Sequence, residues 1–341
     1  MAPVRNGRVL FNEIPTSRWQ SPLFIMRASL TMIPVGSQTI DLENAPLEGG
    51  FLVKTLVLSI DPYIRSRMRD SSITGYLATT STIFTIRINA VILCTSCHDV
   101  SPSYCIVAAA IAFQEYFVAK DASVFHMLEN KEKLPWSIYI GVLGMPGQTA
   151  HHGWREFAHA KKGDVVFVTP GGGPIGATVI QLAKAEGLQV IASAHSENKI
   201  EFICSIGADV AFNYKTTKAL DVLQKNGPIN IYWDNVGGET LEAALEAAAV
   251  GARFIECGMI SAYTASEPYI VKNLVQIIAK QLRVSGFIVT SLDDKWLVDF
   301  HKEFPPKVAS DQIKYKEDVS KGLESAGQAI LDELTGKNKK K

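Results

Sequence analysis

The chain lacks the features that would tie it to a membrane, a polyanion or an oxidising compartment. Net charge is absent: 34 Lys and Arg balance 34 Asp and Glu, so nothing draws the protein to nucleic acid or an anionic surface. The closing KNKKK reads as a short solvated tail. Long apolar runs are absent too. The longest candidate, near 105–113, stops at Gln114, short of the roughly 20 residues a spanning helix needs. The opening MAPVRNGRVLF has no apolar core of a signal peptide. Five cysteines in 341 residues, an odd number, do not make a disulfide framework. Reduced thiols and a cytoplasmic location are expected. No nucleophile–base–acid series is evident, so hydrolase chemistry has no support. There is no internal repeat and no low-complexity linker. What remains is 47% hydrophobic and 20% charged, a globular composition whose length predicts two domains.

The most informative stretch is a glycine-rich turn. DVVFVT at 164–169 is predicted as a buried strand, PGGGPIG follows at 170–176, and ATVIQLAKAEG continues with helical spacing. Gly171, Gly173 and Gly176 satisfy G-x-G-x-x-G, with Pro174 and Ile175 completing the turn. The first glycine permits the tight turn, the second lets backbone approach a pyrophosphate, and the third lets helix pack on strand. A ligand-free βα turn is the bland alternative. A second strand, QVIASA at 189–194, closes a βαβ unit, the context in which the motif signals a dinucleotide.

That unit opens a longer alternation. Strands are predicted at 164–169, 189–194, 209–213, 229–234, 252–257 and 283–289, with helices at about 174–187, 197–206, 216–226, 239–249 and 269–281. Six strands with intervening helices predict an α/β fold with a doubly wound parallel sheet. Asn235 falls at the carboxyl end of its strand, the edge where such sheets bind ligands. The first 136 residues differ. FLVKTLVLSID (51–61) and AFQEYFVA (112–119) read as strands of an all-β or α+β module.

An NAD site normally has an Asp or Glu at the end of the second strand, for the ribose hydroxyls. Here that place reads Ala194-His195-Ser196, and Glu197 comes later. Ser196 offers a hydrogen bond and Lys199 a cation, which suits a 2′-phosphate, so NADPH is favoured over NADH. An ordinary solvated helix lysine is the alternative reading of Lys199.

LGMPGQTAHHGW (143–154), the glycine turn, ADVAFNYK (208–215), DNVGGETLE (234–242) and ECGMISAY (256–263) form an ordered series, with DPYIRSRM (61–68) ahead of it. By these segments the chain resembles the medium-chain dehydrogenase/reductase superfamily. Within it, the chain is similar to the zinc-independent alkenal double-bond reductases, which include the prostaglandin and leukotriene B4 reductases. The resemblance implies a GroES-like β-domain over 1–136, completed by 305–341, and a Rossmann domain over 137–304. It implies NADPH-dependent reduction of the carbon–carbon double bond of an α,β-unsaturated aldehyde or ketone. Hydride goes to the β-carbon and a proton to the α-carbon, with no metal. It implies a homodimer by edge-pairing of sheets near 255–290. By residue-wise matching, Tyr263 holds the substrate oxyanion as a hydrogen-bond donor, and Tyr63 lines the same cleft. Lys199 and Tyr214 meet the adenosine phosphate end. Asn235 and the loop with Cys257, Gly258, Ile260 and Ser261 meet the ribose and nicotinamide, and Phe287, Ile288 and Val289 form a strand against the carboxamide. A quinone reductase of the related zinc-independent branch is the runner-up. A catalytically impaired NADPH-binding homologue is the alternative of a different class.

Two departures from the family pattern motivate that last alternative. Residues 71–111 carry one glycine, Gly75, where several turn glycines are expected, and the chain stops at TGKNKKK where a final apolar strand is expected. Within 71–111, Cys94, Cys97 and Cys105 have the spacing C-x2-C-x7-C, but Val91 stands where a fourth zinc ligand would fall, and His98 is an awkward substitute. The string C-x-x-C-H at 94–98 matches haem attachment by chance. His151 and His152 are expected on the helix surface or partly buried, with cleft-facing proton donors as the alternative. Cys204 and Cys257 read as core or loop positions.

Overall fold

The computed structural model describes residues 3–11, 32–35, 39–67, 88–94, 103–111, 113–123, 125–263, 265, 267 and 269–337. They form two units, Met1–Gly141 with Glu317–Lys341, and Val142–Lys316. The sequence boundaries at 136/137 and 304/305 fall short of these. The second differs because helix Asp293–Ala309 buries Phe300 and Phe304 against helix Met145–Gly153, so it belongs with the nucleotide-type unit.

The first unit is built on antiparallel strands. Two pairs are small: β1 (Val4–Arg5) with β4 (Thr39–Ile40), and β2 (Arg8–Phe11) with β3 (Met32–Val35). A larger sheet joins β5 (Phe51–Leu58), β6 (Ile88–Cys94), β7 (Ser103–Ile111), β8 (Tyr116–Ala119) and β9 (Phe125–Met127) in the order β8-β5-β6-β7-β9. Leu52 and Val53 point to opposite faces of β5 and both are buried. β6 and β7 lie inside the glycine-poor stretch and pair with Cys94 opposite Ser103. Their runs INAVILC and SYCIVAAAI are rich in residues that suit a pleated surface. Residues 71–87 and 95–102, including Gly75, Cys97 and His98, lie outside the described residues. Near the end of the chain a helix, Ala326–Thr335, sets Ala326 and Ile330 into a cluster with Val9, Ile64 and Phe113.

The second unit is a six-stranded parallel sheet of β10 (Val165–Thr169), β11 (Gln189–Ala194), β12 (Val210–Asn213), β13 (Ile229–Asp234), β14 (Ala248–Glu256) and β15 (Arg283–Gly286). Its order is β12-β11-β10-β13-β14-β15. The sequence of strands therefore reverses direction between β10 and β13, and the crevice outside their carboxyl ends is the switch point where ligands bind. Helices cover both faces, which is why the strands read as continuous apolar runs. Val166 and Val168 enter one core layer with Val179, Ile180 and Trp233; Phe167 enters the other with Phe212, Tyr232 and Phe254. Each such side chain contributes roughly 1.5–3 kcal/mol on burial.

Two elements differ from the sequence reading. The helix predicted over 269–281 is confined to Val275–Ala279. Before it, Lys272 N donates to Glu242 Oε2, a contact that competes with helical pairing, and Asn273 Nδ2 donates to Glu242 O. The strand predicted over 283–289 ends at Gly286, the last residue paired with β14. Phe287 then turns its ring against Phe157 and Trp233, and Val289 opens a 3-10 turn. Among the described residues no helix is long and apolar enough to cross a membrane.

His151 and His152 are neither surface residues nor partly exposed: both are sealed in the seam between helices Met145–Gly153 and Asp293–Ala309. The His151 ring lies 5.2 Å from that of Phe304 and 5.5 Å from that of Phe300. Its Nδ1 stands 3.1 Å from His152 Nδ1, so one ring donates and the other accepts. His152 Nε2 is 3.6 Å from Asp293 Oδ1. The covering rings come from far along the chain, so helix periodicity around 151 could not reveal them. Burial, then the His152 ring and Arg155, hold the His151 pKa down to about 4. Folded His151 is thus neutral, while the unfolded chain takes a proton near its ordinary value of about 6.5. The stability from neutral His151 is complete above that value. It is lost as pH falls towards 4, by about 3 kcal/mol in all. His151→Phe, which keeps the ring packing, is expected to shrink the drop in thermal midpoint between pH 7 and pH 4.5. An unchanged drop would show that other groups set the acid limb.

Candidate active site

The glycine turn connects β10 to helix Pro174–Ala185 without slack. A Cβ at Gly176 would sit 2.1 Å from the Pro170 carbonyl oxygen, so only hydrogen fits. At Gly171 it would meet Ile180 Cδ1 at 2.9 Å and Ala192 Cβ at 3.1 Å. At Gly173, by contrast, nothing lies within 4 Å. The first and third glycines therefore serve close packing, and the second leaves backbone bare to an incoming group. Pro174, exposed, occupies the first helical position, where its missing N–H leaves no orphan donor, and Ile175 is half-buried. The other amides of the first turn have no intrahelical acceptor and carry the positive end of the helix.

The corner beside this turn is cationic. The Cβ, Cγ and Cδ of Lys199 run along Gly172, 3.1–3.4 Å from where a side chain there would begin. Ser196 stands at the positive end of helix Glu197–Ser205, its side chain not engaged in capping the helix. Tyr214, exposed, stands edge-on to His195 at 6.3 Å between ring centres, and its N–H donates to Ala194 O. β11 ends at Ala194 with no carboxylate there.

Across the switch point the end of β13 forms a second half. Asn235 N and Nδ2 both donate to Thr169 O at 2.9 Å, tying this turn to β10. Gly237 and Gly238 adopt φ of 70° and 60°, a left-handed bend that strains any residue with a Cβ. Onto this bend folds the loop after β14. Ile260 N donates to Asn235 O, and Ser261 N and Oγ donate to Val236 O. A Cβ on Gly258 would stand 3.2 Å from the hydroxyl of Tyr263 and 3.8 Å from Asn235 O. Bare glycine thus lets the half-buried phenol reach the carboxyl edge of the sheet. Cys257 sits beneath, its thiol pushed up by burial, Asp234 and Glu256. Phe287, Ile288 and Val289 lie just past β15, the Phe287 ring packed into the core. Tyr63 belongs to the first unit, where it packs on the Val9, Ile64 and Phe113 cluster.

Under this edge lie residues to which the sequence reading gave no role. Asp234 is fully buried, and its Oδ1 accepts from Val236 N at 2.7 Å and Gly237 N at 2.8 Å. Glu256 is its register partner on β14. Tyr232 Oη and Thr169 Oγ1 are 3.0 Å apart. The available signal was an acid ending each of two apolar strands, INIYWD and AAVGARFIE. Among the described residues no group of three or more His, Cys, Asp or Glu is arranged to hold a metal ion.

A family model described as zinc-binding dehydrogenase matches residues 174–303. (+)-Pulegone reductase of Mentha piperita is 36% identical over 97% of this chain and 95% of its own. The NADP(+)-dependent 2-alkenal reductase of Nicotiana tabacum is 34% identical over 88% of each chain. Among solved structures, CurA of Vibrio vulnificus in complex with NADPH matches with a TM-score of 0.83 at 27% identity, over 97% of this chain and 96% of that one. The chain belongs to the medium-chain dehydrogenase/reductase superfamily, with a GroES-like and a Rossmann domain, alongside the alkenal and enone double-bond reductases.

Gly176→Ala forces a methyl into the Pro170 carbonyl. It is expected to destabilise the protein by about 3 kcal/mol, at the upper end for overpacking, read as a lowered denaturation midpoint. Gly173→Ala, which meets open space, is expected to leave that midpoint within about 1 kcal/mol, the ordinary helix-end range.

Proposed function

We propose that this protein reduces the carbon–carbon double bond of α,β-unsaturated aldehydes or ketones with NADPH. The observation that carries the reading is the Tyr263 hydroxyl, brought against Gly258 beside Asn235 at the carboxyl edge of the sheet. The cofactor class is supported by the bare Gly173 backbone, the Lys199 stem along Gly172, and the absence of a carboxylate at the end of β11. Those residues fit a dinucleotide bearing a 2′-phosphate. Gly171, Gly173, Pro174, Ile175 and Gly176 receive the pyrophosphate; Ser196, Lys199 and Tyr214 the adenosine phosphate; and Asn235, Cys257, Gly258, Ile260, Ser261, Phe287, Ile288 and Val289 the ribose and nicotinamide. When bound, the cofactor supplies a hydride to the β-carbon.

The chain's own part is to polarise and hold the substrate. Tyr263 donates a hydrogen bond to the carbonyl oxygen, and the same bond strengthens as negative charge gathers there. A proton then reaches the α-carbon. By the family's pattern, Tyr63 is the second tyrosine assigned to the substrate. A cytoplasmic setting agrees with the unpaired Cys204 and Cys257. Assembly is as a homodimer through the edge of the parallel sheet. β15 has β14 as its partner, and Ile270, Leu274, Val275, Ile278 and Val284 are exposed around it, an edge that calls for cover.

NADPH oxidation with a 2-alkenal, an aryl enone, a 15-oxo lipid enone and a quinone tests the reading. Turnover of the alkenal or enones is expected, with Tyr263→Phe lowering kcat/KM about 100-fold at unchanged NADPH affinity. Lys199→Ala is expected to raise the NADPH KM about tenfold and to narrow the preference over NADH. Preference for the quinone would transfer the assignment to the quinone-reductase branch. NADPH binding without any turnover would mark an impaired homologue. Sedimentation is expected to give a dimer, and Ile278→Lys with Val284→Lys a monomer; a monomeric wild type would refute edge-pairing.

A further inference from the structure

The carboxyl ends of β13 and β14 carry two acids whose carboxyl groups are buried. Asp234 and Glu256 are register partners on adjacent parallel strands. Asp234 Oδ1 is taken by two backbone N–H groups at the start of helix Gly238–Ala247. Asp234 Oδ2 and both Glu256 carboxyl oxygens are buried without a well-aligned hydrogen bond, and the Tyr232 hydroxyl reaches towards Asp234 alone of the two. Among the described residues, neutral donors face the pair: Tyr232 of β13, which also meets Thr169 of β10, and Cys257 just beyond β14. Among the described residues, burial, the neighbouring acid and local hydrogen bonds dominate the electrostatics of both carboxyls.

Two uncompensated carboxylates in so dry a place cannot both be ionised. A single proton between them resolves the conflict. It satisfies the bare oxygens with a carboxyl–carboxylate hydrogen bond and leaves one negative charge for the pair. That charge belongs on Asp234, where Val236 N, Gly237 N and the helix N-terminus stabilise it. Glu256, with no backbone donor, carries the proton.

What the pair holds in place is the candidate cofactor edge. The Asp234 carbonyl accepts from Cys257 N at 2.9 Å and Gly258 N at 3.1 Å. The residue after Asp234 is Asn235, and the loop from Cys257 ends at Tyr263. We propose that Asp234 and Glu256 share one proton and act as positioning residues, clamping the Asn235 turn to the 257–263 loop so that losing the proton loosens the dinucleotide seat. This rests on the reading that the edge seats NADPH. Burial and the Asp234 charge push the Glu256 carboxyl up to about 9, so the clamp is closed at neutral pH and opens in the alkaline range.

The test follows NADPH binding by fluorescence from about pH 7 to pH 10 in the wild-type chain and in Glu256→Gln, a neutral replacement that keeps a donor towards Asp234. Wild-type affinity is expected to fall about tenfold per pH unit above the titration of the pair. Glu256→Gln is expected to bind within about threefold of wild type at pH 7 and to lack that alkaline component. Equal alkaline falls in both proteins would overturn the clamp. An infrared spectrum supplies a readout that needs no variant. A protonated-carboxyl carbonyl band is expected in the wild type at pH 7, disappearing as the pH is raised; its absence at pH 7 would overturn the shared proton even if Glu256→Gln failed to fold. Failure to bind NADPH at any pH would overturn the function reading and the positioning role, while the infrared band would still decide the shared proton.

Discussion

The approach of helix Pro174–Ala185 to the end of β10 governs the nucleotide-binding unit. The Pro170 carbonyl occupies the space where a side chain on residue 176 would begin. With that contact made, the helix starts directly at the strand terminus, and its unpaired first-turn amides stand at the switch point between β10 and β13. The same turn runs beneath Lys199 through Gly172 and ties to β11 through the Gly171 N–H bonded to Ser193 O. Anion affinity at this edge follows from backbone geometry first and from side-chain charge second.

A different constraint acts on the other half of the edge. Asn235 is anchored to Thr169 O by two donors, and the bend at Gly237 and Gly238 is stabilised by the Asp234 carboxylate. The loop bearing Tyr263 has short-range structure only at Ile260–Tyr263. Its placement depends on bonds to Asp234 O, Asn235 O and Val236 O. The donor proposed at Tyr263 needs a well-held scaffold, and hydrogen bonds to the Asp234, Asn235 and Val236 carbonyls hold its loop. Buried acids are unfavourable for stability taken alone, so their presence at this edge, rather than in the middle of the strands, fits a positioning role.

Much of this was legible in the residues. The strand–turn–helix around Gly171, Gly173 and Gly176 has a local cause, since Gly171 and Gly176 answer steric demands close by while Gly173 leaves its backbone bare. The six parallel strands were legible because strands covered on both faces must be apolar throughout, as VVFVT and INIYWD nearly are. The end of β15 was not. Phe287 continues an apolar run in sequence, but its ring is drawn away against Trp233 and Phe157. The helix expected over 269–281 failed for a similar reason, because the Glu242 side chain of a preceding helix takes the Lys272 backbone N–H and the Asn273 side chain is drawn to the Glu242 carbonyl.

By itself the sequence determined the local demands: which glycines must lack a Cβ, which runs must be buried on two faces, and that no acid ends β11. These depend on sterics and hydration within a short span of chain. The tertiary structure alone decided the long-range pairings. It sealed His151 and His152 beneath Phe300 and Phe304. It brought the Lys199 stem over Gly172 and the Tyr263 hydroxyl against Gly258, and it set Asp234 opposite Glu256. Each of those depends on register and packing between segments far apart in the chain, and burial, which sets the ionisation of acids and histidines, exists only once those segments have met.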